Sequence, residues 1–502
     1  MADYFYICKI NNLSRQLKKK FVINLAFLLF LNILIKPFWI FGIDRTVQNS
    51  VGTGVYGTYF VLFNLSVILN ILLDIGITNF NNRAIARNPN ILEKYVPNIL
   101  GLKIILSLFY AVICLFTGLM LHFDAHRFLI LGILVFNQIL ASFILYLRSN
   151  ISGLQMFMTD SVISVLDRFF MILICSLLLW TNIAGKPFQI EWFVYAQTVS
   201  YSISFLTALV IVISKTGILR FRFQPHFYIA LLKQSFPFAL LFLLMAVYNR
   251  VDSVMLDRML GPDGKVQAGI YAQAFRLLDA FSMFGFLFAG LLLPMFARMI
   301  STAERIEGLL KLSFLLIFIP SVILCIACWT YRDPIMKMLY KENVDQSAII
   351  LACLMTGFVG ISVTYIFGTL LTANGNLRQL NIMAVISLFL NIALNIFLIP
   401  HYKALGSAVS SMITQVFAAA AQILIARKLF KLSPDLMLLA KLCIFILLMI
   451  TLSIGANYLS SHWIMNIALL FTAGYILAML LGLFRLSGIV RLLKENPLIS
   501  RS

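Results

Sequence analysis

Apolar runs of about twenty residues recur along almost the whole 502-residue chain. An α-helix rises 1.5 Å per residue, so about 20 residues cross the roughly 30 Å hydrocarbon core of a bilayer. Hydrophobic residues make up 61% of the chain and charged residues only 12%, which is about half their share in a soluble domain. Such a chain has too little polar surface to coat a water-facing shell. We therefore predict an all-α membrane protein with about 14 transmembrane helices.

The predicted spans share this length and this lack of charge. They cover residues 20–43, 53–76, 99–121, 128–148, 161–182, 191–213, 236–257, 269–296, 311–330, 346–371, 379–399, 404–426, 437–459 and 463–484.

The cations between the spans predict the orientation. With the N-terminus inside, the cytoplasmic segments hold 25 Lys and Arg residues and the opposite loops hold 9. Cytoplasmic loops of membrane proteins carry such an excess. We expect both termini to be cytoplasmic. The net charge of +20 then records topology, and no nucleic-acid partner is expected.

Catalytic signals are missing from the loops. No loop exceeds about 25 residues, which is too short for a domain of its own. The sequence has no phosphate-binding loop, no nucleophile constellation and no metal-ligand cluster, so we predict neither an enzyme nor a metal site. Cys325 and Cys328 have the spacing of a redox motif, but they lie in an apolar run and are interpreted as small buried residues.

An internal repeat organises the chain. Span 1 ends in FGIDR and is followed by GVYGTY, while span 7 ends in SVMLDR and is followed by AGIYAQAF. Asp44 thus matches Asp257, and Tyr56 matches Tyr271. Six spans per copy is an even number, so both copies enter from the same side and form parallel repeats. The predicted organisation is a cytoplasmic segment 1–19, an N-lobe 20–213, a linker 214–235, a C-lobe 236–426, two further helices 437–484 and a tail 485–502.

Charges inside spans are expensive in a bilayer and are functional candidates by default. Lys36, Arg250 and Arg276 each lie about 10–15 Å below the predicted outer surface, counted at 1.5 Å per residue. Asp252 and Asp279 accompany them. Three cations against two anions leave an excess that suits an anionic ligand. The alternative is that these charges neutralise one another as structural contacts, with Lys36 reaching the interface along its aliphatic stem.

Three amides share a helix face with one of these charges and are candidates to line a polar chamber. They are Asn32, Asn249 and Gln273. Four more charged residues lie nearer the predicted cytoplasmic ends of spans, where interface anchoring and function both stay open. They are Asp74, Lys103, Asp167 and Arg168.

Several short motifs resemble a known family. The segments IDRTVQ, VGTGVYGTYF and LLDIGITNFNNRAIARN (residues 72–88) are similar to those of the polysaccharide or O-antigen flippases, which belong to the multidrug/oligosaccharidyl-lipid/polysaccharide (MOP) exporter superfamily. The resemblance implies two six-helix bundles followed by a further helix pair. It also implies a polyprenyl-pyrophosphate-linked oligosaccharide, the repeat unit of O-antigen, capsule or exopolysaccharide, as substrate. The protein would move it across the bacterial inner membrane. Its partners would be membrane lipids, a polysaccharide polymerase and glycosyltransferases.

The residues and the resemblance lead to one mechanistic hypothesis. Lys36, Arg250 and Arg276 would bind the pyrophosphate by charge-assisted hydrogen bonds while two lobes alternate in access. Asp252 or Asp279 would couple the movement to a proton or sodium gradient, and no other cofactor is expected. Three alternatives stay open: a drug/cation antiporter of the multidrug and toxin extrusion branch, a lipid II flippase, and an integral-membrane glycosyltransferase.

Overall fold

The computed structural model describes residues 31, 34–35, 37–181, 185–216, 225–433, 435–459 and 462–483. Within these ranges the chain forms fifteen α-helices and no β-strand. The helices are α1 (Arg45–Val51), α2 (Thr53–Leu69), α3 (Ile77–Arg87), α4 (Leu92–Met120), α5 (Ala125–Gly153), α6 (Phe157–Trp180), α7 (Ile190–Thr216), α8 (Pro225–Met259), α9 (Gly264–Ser301), α10 (Glu307–Thr330), α11 (Arg332–Leu339), α12 (Val344–Ala373), α13 (Leu377–Phe430), α14 (Leu436–Leu459) and α15 (Trp463–Leu480).

Twelve helices of the described chain are long and apolar enough to cross a membrane. One of them, α13, has 54 residues, so it would be about 80 Å long if it were straight. Its backbone reverses at Lys403, where φ is 52° and ψ is −132°. A Cβ atom on Gly406 would overlap the carbonyl oxygen of Leu398, which shows that the chain folds back on itself there. The two arms of α13 correspond to the predicted spans 379–399 and 404–426. The predicted all-α membrane fold is confirmed.

The end of the first predicted span has an unusual backbone. Residues Phe38–Asp44 form a π-helix that continues directly into α1. Gly52, with φ of 83°, then separates α1 from α2, a conformation that glycine adopts without steric cost. The helix therefore extends beyond the predicted end at residue 43, and one glycine makes the turn into the next span.

The first compact unit comprises Met1–Gly269. One apolar core of this unit joins α4, α5 and α7, where Tyr146, Leu147 and Ile99 are among the buried side chains. Helix α8 packs along α2 within this unit. The predicted lobe boundaries, which assign this helix to the second repeat, stay a prediction.

The second compact unit comprises Ile270–Ser502. The last two helices, α14 and α15, pack on α10 around a core that includes Phe445, Met449 and Ile323. An ion pair of 2.7 Å between Lys311 and Asp435 links the start of α10 to the residue before α14. The C-terminal pair is therefore anchored to this unit by apolar packing and by one exposed ion pair.

Candidate substrate site

A polar clasp joins α2 and α8 in the first unit. Arg250 donates from Nη1 to Asn64 Oδ1 over 2.8 Å. The Asn64 amide in turn donates to Ser253 Oγ over 2.9 Å, and Ser253 donates to the Arg250 carbonyl oxygen over 3.1 Å. Arg250 therefore lies against a neighbouring helix of the bundle, where its cost in the membrane is offset by charge-assisted hydrogen bonding.

Two predicted site residues flank this clasp. Asp252 is buried, and Asn249 is half-buried one residue before Arg250. Each residue of a helix turns the side chain by about 100°, so Asn249, one residue before Arg250, and Asp252, two residues after it, leave α8 in different directions from Arg250. The clasp thus contains Arg250, one of the predicted head-group cations, and two other predicted site residues lie next to it along α8.

The predicted outer ends of α2 and α9 meet backbone to backbone. A Cβ atom on Gly57 would overlap the carbonyl oxygen of Lys265, and one on Gly269 would overlap the carbonyl oxygen of Thr53. Gln48 Nε2 also donates to the Gly269 carbonyl oxygen over 3.1 Å. Only glycine permits this approach, because any side chain at these positions would separate the helices.

A second polar cluster surrounds a break at the other end of α2. The 3₁₀ turn Asn70–Leu73 ends the helix, and Ile75 and Gly76 then adopt positive φ values of 44° and 82° before α3 begins. These residues belong to the LLDIG motif of the family resemblance. Such a break leaves backbone carbonyls without partners in the helix, and in a membrane they must be satisfied by other groups.

Lys103 of α4 fills this break. Its ammonium donates to the Leu73 carbonyl oxygen over 3.0 Å, to Asp74 Oδ1 over 3.1 Å and to Ser142 Oγ over 2.8 Å. The Lys103 side chain is 1% exposed, whereas that of Asp74 is 29% exposed. Asp74 also accepts from the backbone N–H and the hydroxyl of Thr78, so it caps α3. One buried cation therefore ties together α4, α5 and the broken span, which is a structural role.

The matched aspartates of the internal repeat are both buried hydrogen-bond acceptors. Asp44 accepts from the Tyr56 hydroxyl at both carboxylate oxygens, over 2.9 and 2.8 Å. Asp257 accepts from Arg127 Nη1 over 2.8 Å and lies 3.8 Å from Arg258 Nε. In each copy, then, the carboxylate after the span anchors a neighbouring element.

A third group of polar residues lies in the middle of α6. This helix begins at Phe157, so Arg168 lies about three turns from its first residue, near the middle of the helix. The Arg168 guanidinium lies over the ring of Trp39 at 5.4 Å and over that of Tyr201 at 5.9 Å. Its Nε is 3.6 Å from Asp167 Oδ2. Arg168 is thus a cation in the middle of a candidate membrane-spanning helix, in contact with aromatic rings of two neighbouring elements.

The aromatic rings continue beyond Trp39. Trp39 stacks on Phe193 with centroids 5.7 Å apart, and Tyr59 meets Phe193 edge-on at 5.3 Å. The Tyr59 hydroxyl accepts from Gln197 Nε2 over 2.7 Å. The π-helical segment, α2 and α7 therefore share one aromatic layer in the interior of the first unit.

The second unit holds the remaining predicted residues. Gln273 is buried, and its Nε2 donates to the carbonyl oxygen of Glu342 over 3.1 Å. Arg276 and Asp279 are half-buried and lie one turn apart on α9. The amide of Gln273 therefore anchors the connection between α11 and α12, a role that the sequence pattern does not reveal.

An apolar cavity of about 800 Å³ opens between α10, α12, α14 and the second arm of α13. Its few polar groups include Thr356, Trp329 and Ser453, and Trp329 Nε1 donates to Thr356 Oγ1 over 2.9 Å. Trp329 and Val416 are exposed at its walls. The cavity is suited to a hydrocarbon chain and not to a charged group.

A sequence comparison identifies the family. A family model described as "Polysaccharide biosynthesis protein" matches residues 19–300, more than half of the chain. The chain belongs to this family. No curated protein matches the chain in sequence.

Solved structures share the fold of this polysaccharide biosynthesis family member. The lipid II flippase MurJ in an inward closed conformation superposes with a TM-score of 0.64 at 14% identity, covering 92% of this chain and 99% of MurJ. An inward-facing multidrug resistance MATE family transporter gives a TM-score of 0.59 at 15% identity, with 80% and 98% coverage. A MOP superfamily transporter from Pyrococcus furiosus, described as having a binding pocket of reverse polarity, gives 0.56 at 14% identity, with 82% and 95% coverage. The chain therefore has the fold of MOP superfamily proteins, as the resemblance implied.

The predicted ring of cations stays a prediction. Lys36 and Asn32 lie outside the described residues, and Arg250 and Arg276 fall in different compact units. Sequence reasoning missed Asn64, although an asparagine inside the apolar run FVLFNLSVIL is itself a signal of a buried polar contact.

Proposed function

We propose that this family member is a flippase for polyprenyl-pyrophosphate-linked oligosaccharides, working by alternating access across the bacterial inner membrane. The barrier to this movement is the desolvation of a charged and hydroxylated head group in hydrocarbon. A protein lowers it by providing polar contacts at membrane depth and needs no bond chemistry. The residues of the site fit each part of such a substrate.

The observation that carries the proposal is the position of Arg250. Its guanidinium is half-buried against Asn64 on the inside of a helical unit, at a depth where a cation is costly. Guanidinium groups bind phosphate oxygens in a bidentate manner, which suits the pyrophosphate linker. Arg276 and Lys36 are the other head-group candidates.

The apolar cavity of the second unit supports the lipid part of the substrate. A polyprenyl chain is a branched hydrocarbon, and a cavity of about 800 Å³ lined by valine, isoleucine and alanine side chains can hold several isoprene units of it. Its exposed walls allow a chain to enter sideways from the bilayer.

The contact between Gly57 and Gly269 supports alternating access. Backbone contact without interlocking side chains can separate and reform without rotamer changes. We assign this contact to an outer gate, together with the clasp around Asn64. Asp252 and Asp279 are the candidates to couple gate movement to a proton or sodium ion, because a carboxylate near a mobile cation can change its charge state.

The test is complementation of a flippase-deficient bacterium. Arg250→Ala and Arg276→Ala should each abolish surface glycan while membrane levels of the protein stay normal. Arg298→Ala, which removes an exposed cation near the end of α9, is the matched control and should complement. Full complementation by both site variants would contradict the head-group assignment.

A transport assay separates the competing substrates. Proteoliposomes containing the purified protein would be given either a polyprenyl-pyrophosphate oligosaccharide or lipid II, the lipid for which the flippase MurJ is named. We expect transfer of the oligosaccharide lipid. Transfer of lipid II alone would favour the cell-wall alternative.

A further inference from the structure

We propose that Arg168 and Asp167, with Trp39 and Tyr201, form a saccharide subsite in the middle of the first unit. This proposal rests on the proposed function, since it assigns residues to the glycan part of the same substrate. Its residues differ from the head-group candidates Arg250 and Arg276.

Arg168 faces the interior of the bundle. It lies seven residues from both Ser161 and Cys175, so all three share one face of α6. Ser161 and Cys175 are buried, whereas Val162, Phe169 and Leu173 on the other faces are exposed where lipid would be. Its side chain is nevertheless 29% exposed and that of Asp167 is 20% exposed, so both can reach a ligand from the interior.

A structural role accounts for Arg168 better than for Asp167. The Arg168 guanidinium reaches Trp39 and Tyr201 on neighbouring elements, whereas the 3.6 Å contact of Asp167 with Arg168 stays within one helix. The Lys103 cluster differs, because it binds three separate elements. An ion pair at membrane depth costs several kcal/mol, and apolar residues in its place are often neutral or stabilising. The pair therefore calls for another explanation.

The chemistry of the group suits a sugar better than a pyrophosphate. The Asp167 carboxylate next to the guanidinium would repel a dianion, but it accepts hydrogen bonds from hydroxyl groups that Arg168 can donate to in turn. The rings of Trp39 and Tyr201 lie within 6 Å of the guanidinium carbon, which is the range of a cation–π contact. Aromatic rings beside hydrogen-bonding groups also suit the apolar faces of a sugar ring.

Helix α7 adds further polar atoms on the side that carries Tyr201. Ser204 lies three residues beyond Tyr201, is buried, and its hydroxyl has no hydrogen-bond partner among the described residues. Gln197 lies four residues before Tyr201 and binds the Tyr59 hydroxyl. A stripe of hydroxyl and amide groups therefore runs beside the ion pair, as a ligand rich in hydroxyl groups requires.

The experiment compares two lipids that differ only in the sugar. The full-length protein in lipid nanodiscs is titrated with polyprenyl pyrophosphate, and with the same lipid carrying a neutral trisaccharide. Quenching of tryptophan fluorescence gives both dissociation constants. Arg168→Ala should weaken binding of the glycosylated lipid about tenfold or more, the loss expected for hydrogen bonds to a charged group, and leave binding of the bare lipid unchanged.

Three further variants make the result decisive. Asp167→Asn should weaken only the glycosylated lipid, by a smaller factor. Arg168→Lys keeps the charge but loses the planar donors, so it should behave more like Arg168→Ala than like wild type. Arg148→Ala removes another ion pair of α6, the 2.7 Å contact with Asp160, and should change neither constant. If Arg168→Ala does not fold, Asp167→Asn and Arg168→Lys decide.

The outcomes separate this inference from the proposed function. Equal weakening of both lipids by the Arg168 and Asp167 variants, or no weakening of either, would overturn the saccharide subsite. Failure of the wild-type protein to bind either lipid would instead overturn the proposed flippase function.

Discussion

The cluster around Lys103 allows a quantitative prediction about stability, because its two charges differ in exposure. Lys103→Met removes three donated hydrogen bonds and leaves Asp74 without its cation. Asp74 stays 29% exposed and keeps its contacts with Thr78, so its charge can still be hydrated. We expect a loss of about 2–3 kcal/mol, near the lower end for breaking a buried pair.

Asp74→Asn should cost more. The amide keeps an oxygen for the lysine, but an ammonium group that is 1% exposed then has no counter-charge. Removing one partner of a buried pair costs about 3–5 kcal/mol, and this arrangement gives no route to water. The double variant Lys103→Met with Asp74→Asn removes both charges. It should cost less than the sum of the single variants by about 1 kcal/mol or more.

The measurement is the free energy of unfolding in bicelles, obtained by steric trapping, for the wild type and the three variants. The predicted order, from most to least stable, is wild type, Lys103→Met, then Asp74→Asn. A larger loss for Lys103→Met than for Asp74→Asn, or strict additivity in the double variant, would refute the assignment of Lys103 as the buried partner.

Two other predictions concern the predicted outer gate and the C-terminal pair. Gly57→Leu should abolish transport at normal membrane levels because its side chain would overlap the Lys265 carbonyl. Gly54→Leu, whose Cβ would lie 3.5 Å from Val266, should retain transport, and equal activity of both would count against the gate. The hydrogen bond from Lys311 lowers the pKa of Asp435, so this carboxylate stabilises the fold above its ordinary pKa of 3.8 and loses that effect as the pH falls through the lowered value. Asp435→Asn should therefore reduce the fall in melting temperature between pH 5 and pH 3, and an unchanged fall would argue against the pair.

The length of each apolar segment is enough to locate the membrane-spanning helices. The thickness of the bilayer sets this length, and it can be read from consecutive residues. Helix ends were less predictable. Helix α8 begins at Pro225, although its apolar run starts near residue 236, since a helix can extend into water without apolar residues. The reversal at Lys403 agrees with the prediction that one span ends at residue 399 and the next begins at residue 404.

The candidate site was less accessible to sequence reasoning. Asp74 and Lys103 are 29 residues apart, and nothing local shows that the lysine satisfies a carbonyl freed by the break after α2. The pattern locates Arg168 near one end of a span, but it does not show that this side chain meets Trp39 and Tyr201 of neighbouring elements. Charges in spans could be recognised from composition, but their partners depend on which helices are neighbours.

The meeting of Gly57 with the Lys265 carbonyl has an evolutionary consequence. Two main chains in direct contact offer no side chain that selection could enlarge or trim in small steps. Such a closure either forms completely or is lost with the first added methyl group. Substitutions that change what related chains carry should therefore accumulate at positions with side chains, whereas Gly57 and Gly269 should hardly vary.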